Sequence, residues 1–430
     1  KPIKTLVDEI NQYPGLMDII FNIEGMVKQR GCHASGVILY DADKFFETAS
    51  LMRTPSGDLI TCYDLHKAEA AGDVKYDFLV TEATDKLIQC YELLKKDKVI
   101  PDMSLYDWYH KYLHPEVIDT TDDRIWEALA NGSVLDVFQF NTPVGLAIAK
   151  KVKPHSPFEM TCVNAMMRLM SEPGVESQQD RYARIKQEGI CAFDAEMKKL
   201  KLPEKLIAAM HKYCDTYYGC CAIQEQMMQI LMDPDIAGFS LKEANDARKI
   251  VGKKQMSRIP ELREHIFANM KDDKSAGYVW RTAIAPSMGY AFSENHSLPY
   301  SFVGIQMIIL AIKFDPVYWN TACLIVNSGA VDPENGGNTK YDKIAKAIGD
   351  IQASGIKIGL ADINKSEFGF LPDVENQQIL FGLKGMLNVG DELIQTIVEN
   401  RPYTDFWDFD NRVKPNRQAM ISLIKGGAFD

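Results

Sequence analysis

Asp73, Lys75 and Asp77 occupy alternate positions in Gly72-Asp73-Val74-Lys75-Tyr76-Asp77-Phe78-Leu79, with Val74, Tyr76 and Phe78 between them. Successive side chains of a strand point to opposite faces, so this alternation predicts a buried strand with its charged residues on one face and its apolar residues on the other. A carboxylate fixed on a rigid strand beside a cation suits divalent-metal and phosphate chemistry. Asp77 is then the metal ligand and Lys75 offsets negative charge. A plain ion pair is the structural alternative for the same two residues.

The chain is long enough for two or three domains with real cores: 430 residues, 46% hydrophobic and 25% charged. The longest apolar run, Phe302 to Ile312, is interrupted by Gln306 and followed by Lys313, so it predicts a buried helix and not a membrane span. No charged start, apolar core and small-residue cleavage site suggests export. The nine cysteines form no Cys-x-x-Cys pair, and Cys220 and Cys221 are adjacent. That pattern argues against a disulfide framework and a zinc site, and for reducing cytoplasm. A net charge of -11 argues against a non-specific nucleic-acid coat protein. Basic residues nevertheless cluster at Lys150, Lys151 and Lys153, and at Arg248, Lys249, Lys253, Lys254 and Arg258, which allows a phosphate-facing groove on an acidic body.

Residues 1 to about 100 combine a helix-like start (Thr5 to Ile23), strands and a charged helix around Thr84 to Lys96, part of an α/β layer. Residues 101 to 330 read as mostly helical. Ser240 followed by Glu243 is a capping box that starts a helix running to Val251, with Gly252 as its stop. Residues 331 to 338 have the Pro, Gly and Asn density of a linker. A helix from Tyr341 to Ser354 and a compact region ending at Asp430 follow. The fold class expected is α+β, predominantly α.

Arg30-Gly31-Cys32-His33-Ala34-Ser35-Gly36-Val37-Ile38-Leu39-Tyr40, Thr61-Cys62-Tyr63-Asp64 and the Gly72 to Leu79 strand together resemble the last part of the palm in bacterial C-family replicative DNA polymerases, the DNA polymerase III alpha subunit. Later segments resemble the same family in the same order. Asp136-Val137-Phe138-Gln139-Phe140, Lys153-Pro154 and Phe158-Glu159 are similar to its entry into the fingers, although Phe138 and Phe140 also suit a core. Met166-Met167-Arg168, followed by Pro173-Gly174, is similar to its arginine-proline-glycine segment, and an arginine there could fork onto triphosphate oxygens. Gln224-Glu225-Gln226-Met227-Met228 resembles its Tyr-Gln-Glu-Gln segment with Ile223 for the tyrosine; the plain alternative is a solvated helix turn. Ala237 to Lys254 is similar to the fingers stretch whose basic residues face nucleotide and template. Arg248 and Lys249 are equally explained as cations at a helix C-terminus, which the helix dipole favours. Tyr290-Ala291-Phe292-Ser293-Glu294-Asn295-His296 resembles a further family segment, with Glu294 where a lysine is usual and His296 read as packed or capping.

Phe381 to Gly390 and then Asp391 to Asn400 read as short helix, tight hairpin and helix. Gly390 and Asn388 suit the left-handed backbone of such a hairpin, and Gly385 lies at its start. Amides at the following helix N-terminus bind phosphate without reading bases, so this resembles a helix-hairpin-helix DNA-backbone element. Asn416-Arg417 to Asp430 resembles its second half.

The resemblance implies three regions: 1–100, end of thumb and C-terminal part of palm; 101–330, fingers; 331–430, a tandem helix-hairpin-helix region. It implies part of a DNA-directed DNA polymerase, a nucleotidyltransferase of genome replication using two Mg2+ ions, in a bacterial or phage-infected cytoplasm. Asp77 and Lys75 are its catalytic candidates. His33, Arg168, Arg248, Lys249, Lys253 and Lys254 are its phosphate-binding candidates, and Gly385, Asn388 and Gly390 its DNA-backbone hairpin. Implied partners are primer-template DNA, deoxynucleoside triphosphates, a preceding polymerase portion that carries the family's Asp-x-Asp carboxylates, and a sliding clamp reached through sequence outside this chain; no membrane is implied. The absence of that carboxylate pair from residues 1 to 430, and the start at Lys1, suggest a segment of something longer that is inactive alone. The divergence of the motifs suggests a phage or mobile-element source. Two other functions remain open: a non-catalytic DNA-binding or polymerase-accessory module, and a metal-dependent nuclease centred on Asp77.

Overall fold

The structure, a computed structural model, describes residues 4–26, 30–33, 35–78, 81–169, 176–252, 255–288, 292–329 and 339–430. Leu79, Pro173, Gly174, Lys253, Lys254, Tyr290, Ala291 and the expected linker 331–338 lie outside the described residues. The chain divides into two units, Lys1–Thr81 and Glu82–Asp430.

In the first unit the expected helix over Thr5 to Ile23 is two helices, Lys4–Ile10 and Leu16–Ile23, because Gly15 takes φ +83° and interrupts the ladder. Two separate antiparallel pairs follow: β1 (Gly36–Leu39) with β4 (Val74–Asp77), and β2 (Leu51–Arg53) with β3 (Leu59–Thr61). The pairing opposes Val37 to Tyr76 and Leu39 to Val74, which puts these four side chains and Phe78 on one face. That face is open, with Tyr76 49% and Phe78 63% exposed, so the expectation of a buried strand is corrected: the alternation is real but none of the described residues of this unit covers it. Among the described residues of the unit only Thr54 and Ala68 are buried.

The second unit is built from helices around four clusters of buried side chains. Helix Glu294–Lys313 runs between two of them, giving Ile305 and Ile308 to one and Met307 and Leu310 to the other. This explains the long apolar run read from the sequence, since a helix buried on opposite sides has no polar face to display. Burial of each large side chain contributes about 1.5 to 3 kcal/mol. Gly304 lets helix Pro157–Met166 approach, because a Cβ there would lie 2.7 Å from Met160 Cε. The same two helices share a buried polar contact, in which Asn164 Nδ2 donates to Ser301 Oγ at 3.0 Å and Ser297 Oγ donates to the Thr161 carbonyl at 3.0 Å. Lys86 of helix Glu82–Lys96 and Asn327 of helix Pro316–Ser328 both donate to Asp136, at 2.8 and 2.7 Å, so one half-buried carboxylate ties three elements.

Towards the C-terminus, helix Tyr341–Ala353 leads into a three-stranded sheet in which β5 (Lys357–Gly359) pairs in parallel and β6 (Leu371–Asp373) antiparallel with β7 (Gln378–Leu380). Helices Asp391–Glu399, Phe406–Val413 and Arg417–Lys425 then close over Leu383, Ile397, Phe409 and Leu423. The architecture is α+β and predominantly α. Among the described residues all nine cysteines are free thiols, and no helix is long and apolar enough to cross a membrane.

Candidate functional site

Asp77 and Lys75 share a face of β4, and the lysine ammonium lies 2.7 Å from the Asp77 carboxylate. The hydrogen bond from Lys75 holds the Asp77 carboxyl below the usual carboxylate range, helped by the charge of Lys75. His33 reaches the same corner. Its Nδ1 accepts from the Gly36 and Ser35 amides at 2.7 and 3.1 Å. Gly36 leaves room for this corner, since a Cβ would lie 2.6 Å from Lys75 Cε and 2.9 Å from His33 Nδ1 and would make those side chains shift. The strand therefore gathers one carboxylate, one ammonium and one imidazole. Among the described residues no group of three or more His, Cys, Asp and Glu side chains could hold a metal ion, so the residues present do not fit a two-metal centre.

A second constellation forms in the other unit. Ile223 and Phe292, 69 positions apart, make a parallel bridge, and the Gln224 amide donates to the Phe292 carbonyl at 2.9 Å. Two of the predicted phosphate ligands converge on this bridge from different elements, Arg168 from the turn after helix Pro157–Met166 and Arg248 from a helix. The Arg168 guanidinium sits 4.9 Å from the centre of the Phe292 ring, and its Nη2 donates to Gln139 Oε1 at 3.2 Å. Arg248, on helix Leu241–Gly252, donates from Nη1 to Gln224 Oε1 and from Nε to Asn245 Oδ1, each at 3.0 Å. The helix carrying Arg248 begins with the capping box read from the sequence: Ser240 Oγ accepts from the Glu243 amide at 3.3 Å, and Glu243 Oε2 accepts from the Ser240 amide at 2.8 Å. Lys249 follows on its exposed side. His296 is packed, as expected. Its ring stacks on Phe292 at 5.0 Å and lies 4.2 Å from Tyr300. Burial, and then the Arg168 charge, hold its pKa below the ordinary value.

The Gln224-Glu225-Gln226 segment is not the solvated helix turn that the plain alternative describes. Gln224 holds Arg248. Glu225 Oε2 accepts from the Glu294 amide at 3.0 Å, capping a helix whose own N-cap, Ser293, supplies no side-chain bond. Gln226 is buried, taking the Ala222 amide at 2.8 Å and donating to the Cys220 and Tyr213 carbonyls. Three consecutive residues thus fasten three elements. Sequence reading had no way to assign those partners, although a run of polar residues opening a helix between apolar stretches was a signal that something needed fastening.

The C-terminal hairpins repeat one backbone plan. Asn388 (φ +62°) precedes helix Asp391–Glu399 and Lys414 (φ +49°) precedes helix Arg417–Lys425, each three residues before the helix starts. Two expectations are corrected here. The element before the first hairpin is a single 3-10 turn, Leu383–Gly385, and not an α-helix. Gly390 is not left-handed: its φ of -83° and ψ of 164° are extended, and no atom lies within 4 Å of where its Cβ would be. Gly390 is instead the N-cap of helix Asp391–Glu399 and offers it no side-chain bond, whereas Asn416 Oδ1 caps the second hairpin's helix by accepting from the Ala419 amide at 2.9 Å. Gly385 meets a steric demand, since a Cβ would lie 2.5 Å from Phe381 Cε1. The first hairpin borders a concavity of about 550 Å3 lined by Thr339, Tyr341, Lys384 and Asn388, where Lys384 pairs with Asp391.

Comparison with known proteins agrees with this organisation. Residues 97–274 match the bacterial DNA polymerase III alpha subunit finger domain, residues 355–430 a helix-hairpin-helix motif, and residues 1–80 the bacterial DNA polymerase III alpha NTPase domain. The chain is 42% identical to "Probable DNA polymerase YorL" of Bacillus subtilis strain 168 over 445 aligned positions, covering all of this chain and 34% of that protein. Identity and coverage are the same for the "DNA-directed DNA polymerase" of Bacillus phage SPbeta. With the DNA polymerase III subunit alpha of Thermus aquaticus it shares 27% identity, covering 96% of this chain and 32% of that protein. The chain therefore spans about a third of the length of these relatives. Successive matches along one kind of protein, in the order in which the motifs were read, identify it: the chain belongs to the bacterial DNA polymerase III alpha subunit family.

Proposed function

We propose that this chain is the fingers-centred part of a DNA-directed DNA polymerase that adds deoxynucleotides to a primer 3′ end in a bacterial or phage-infected cytoplasm. The observation that carries the reading is the convergence of Arg168 and Arg248 on the Ile223–Phe292 bridge. Two guanidinium groups fixed on one rigid junction suit the oxygens of an incoming triphosphate, since each fork can donate two parallel hydrogen bonds. Lys249, with Lys253 and Lys254 beyond it, supplies further charge for nucleotide or template phosphate, and His33 does so at the strand. The first hairpin, through Gly385, Asn388 and the amides beginning at Gly390, grips duplex backbone without reading bases.

Asp77 contributes one carboxylate to the catalytic centre, with Lys75 beside it. The other ligands for Mg2+ belong to polypeptide that precedes this chain in the whole enzyme, and a sliding clamp is engaged through sequence outside it. The reading is tested with the purified 430-residue chain, in primer-extension and in equilibrium binding of a deoxynucleoside triphosphate and of primer-template DNA. Binding of both without extension is expected, with extension restored when the preceding portion is supplied. Template-directed incorporation by the chain alone would sink the assignment of the missing ligands, and failure to bind either ligand would sink the reading as a whole.

A further inference from the structure

Arg248 differs from Arg124, Arg181 and Arg184 in what holds it. Arg181 pairs with Glu196 at 2.7 Å, Arg184 with Glu176 at 2.7 Å and Arg124 with Asp122 at 2.6 Å. Arg248 makes no ion pair with any described carboxylate, and its two hydrogen-bond acceptors, Gln224 Oε1 and Asn245 Oδ1, are neutral amide oxygens. A guanidinium has five N–H donors, and the described residues occupy Nε and one N–H of Nη1. A carboxylate at position 224 would hold the group at least as firmly, but would also neutralise the charge an anionic ligand needs.

The position of Gln224 is itself fixed from three sides. Its amide is bonded to Phe292, the next residue caps the helix that starts at Glu294, and Gln226 is buried among the Tyr213 to Ala222 backbone. The acceptor that aims Arg248 is therefore anchored to the same bridge as the ring beneath Arg168.

We propose that Gln224 is a positioning residue, which orients Arg248 through a neutral acceptor so that the guanidinium keeps its charge for a triphosphate. The inference rests on the reading of Arg248 as a phosphate ligand. Equilibrium titration of the 430-residue chain with a deoxynucleoside triphosphate, for wild type, Arg248→Ala, Gln224→Ala, Gln224→Glu and the Gln224→Ala/Arg248→Ala pair, separates the two. Arg248→Ala is expected to weaken binding about 10-fold, the scale of one charge-assisted hydrogen bond. Gln224→Ala weakens it several-fold on its own and not at all on top of Arg248→Ala. Gln224→Glu is decisive, because it preserves the hydrogen bond and the melting temperature, so a merely structural role leaves nucleotide affinity unchanged, whereas the proposal predicts a loss of about 10-fold. If Arg248→Ala changes nothing, the phosphate reading fails and the inference falls with it. If Arg248→Ala weakens binding and Gln224→Glu binds as wild type does, the reading survives and the role given to Gln224 is overturned.

Discussion

The strand corner in residues 1–81 and the arginine corner in residues 82–430 each present charge to solvent, and they do so on opposite physical terms. Asp77 is held by an opposite charge, in a unit whose described residues bury only Thr54 and Ala68. Arg248 is held by neutral amides on helices backed by Met227, Ile230, Ala244 and Ala247, all at 1% exposure or less. A charge already matched by its neighbour has to be released before it can serve a ligand; a charge held by dipoles is ready. A two-stranded sheet with an open apolar face is also marginal by itself, whereas the arginine corner is backed by its own core.

The sharpest way to break that contrast is at Asp77. In the complete polymerase Asp77→Asn should abolish incorporation while leaving DNA binding near wild type, because a charge is lost with almost no change of shape. Full activity in a steady-state incorporation assay would remove Asp77 from the centre. Next in size is the difference in cores. Trp319, fully buried and donating to the Leu135 carbonyl at 2.9 Å, should cost about 3 to 5 kcal/mol as Trp319→Ala, whereas Tyr76→Ala on the open strand face should stay within roughly 0.5 kcal/mol in this chain. Denaturant melts of the two variants decide it, and equal losses would mean that the strand face is covered after all.

A smaller effect is expected at the helix cap between the two arginines. Glu225→Ala should cost about 0.5 to 2 kcal/mol, with Glu225→Gln recovering part because its amide oxygen can still accept from Glu294. Smaller still is a pH effect. His296 is held neutral by burial and then by Arg168, so the folded protein binds fewer protons here than the unfolded chain. Stability should therefore decline as pH falls below about 6.5, the ordinary histidine value. His296→Phe should flatten that part of the pH–melting curve, and an unchanged slope would exclude the imidazole as its source. At the hairpin, Gly390→Val should be nearly silent in duplex binding, given the extended backbone and open space there. The log–log salt slope of that binding should lie between about -2 and -5, for a handful of phosphate contacts.

Features with a local cause were legible in the sequence. The Ser240 to Glu243 capping box, the buried helix over Phe302 to Ile312 and the charged strand of Lys75 and Asp77 each follow from spacing within a few residues. The Thr5 to Ile23 helix was misread because composition outweighed one glycine, and Gly390 because hairpin chemistry was assigned to both candidate residues when the left-handed position falls on Asn388. The bridge between Ile223 and Phe292 was not legible at all. It depends on a pairing across 69 positions, and neither strand propensity nor periodicity marks a single-residue bridge. The partners of Gln224 and Gln139 were not legible for the same reason, although both residues lie in segments the sequence singles out: an amide acquires its meaning from the guanidinium brought to it by the fold.

The charge left available at the arginine corner is tested most directly by steady-state kinetics of the complete polymerase carrying Arg168→Ala together with Arg248→Ala. Loss of two charge-assisted contacts, each about 1.5 to 3 kcal/mol, should raise the KM for deoxynucleoside triphosphate on the order of 100-fold or more while primer-template affinity stays unchanged. An unchanged KM, or a loss confined to DNA affinity, would contradict it.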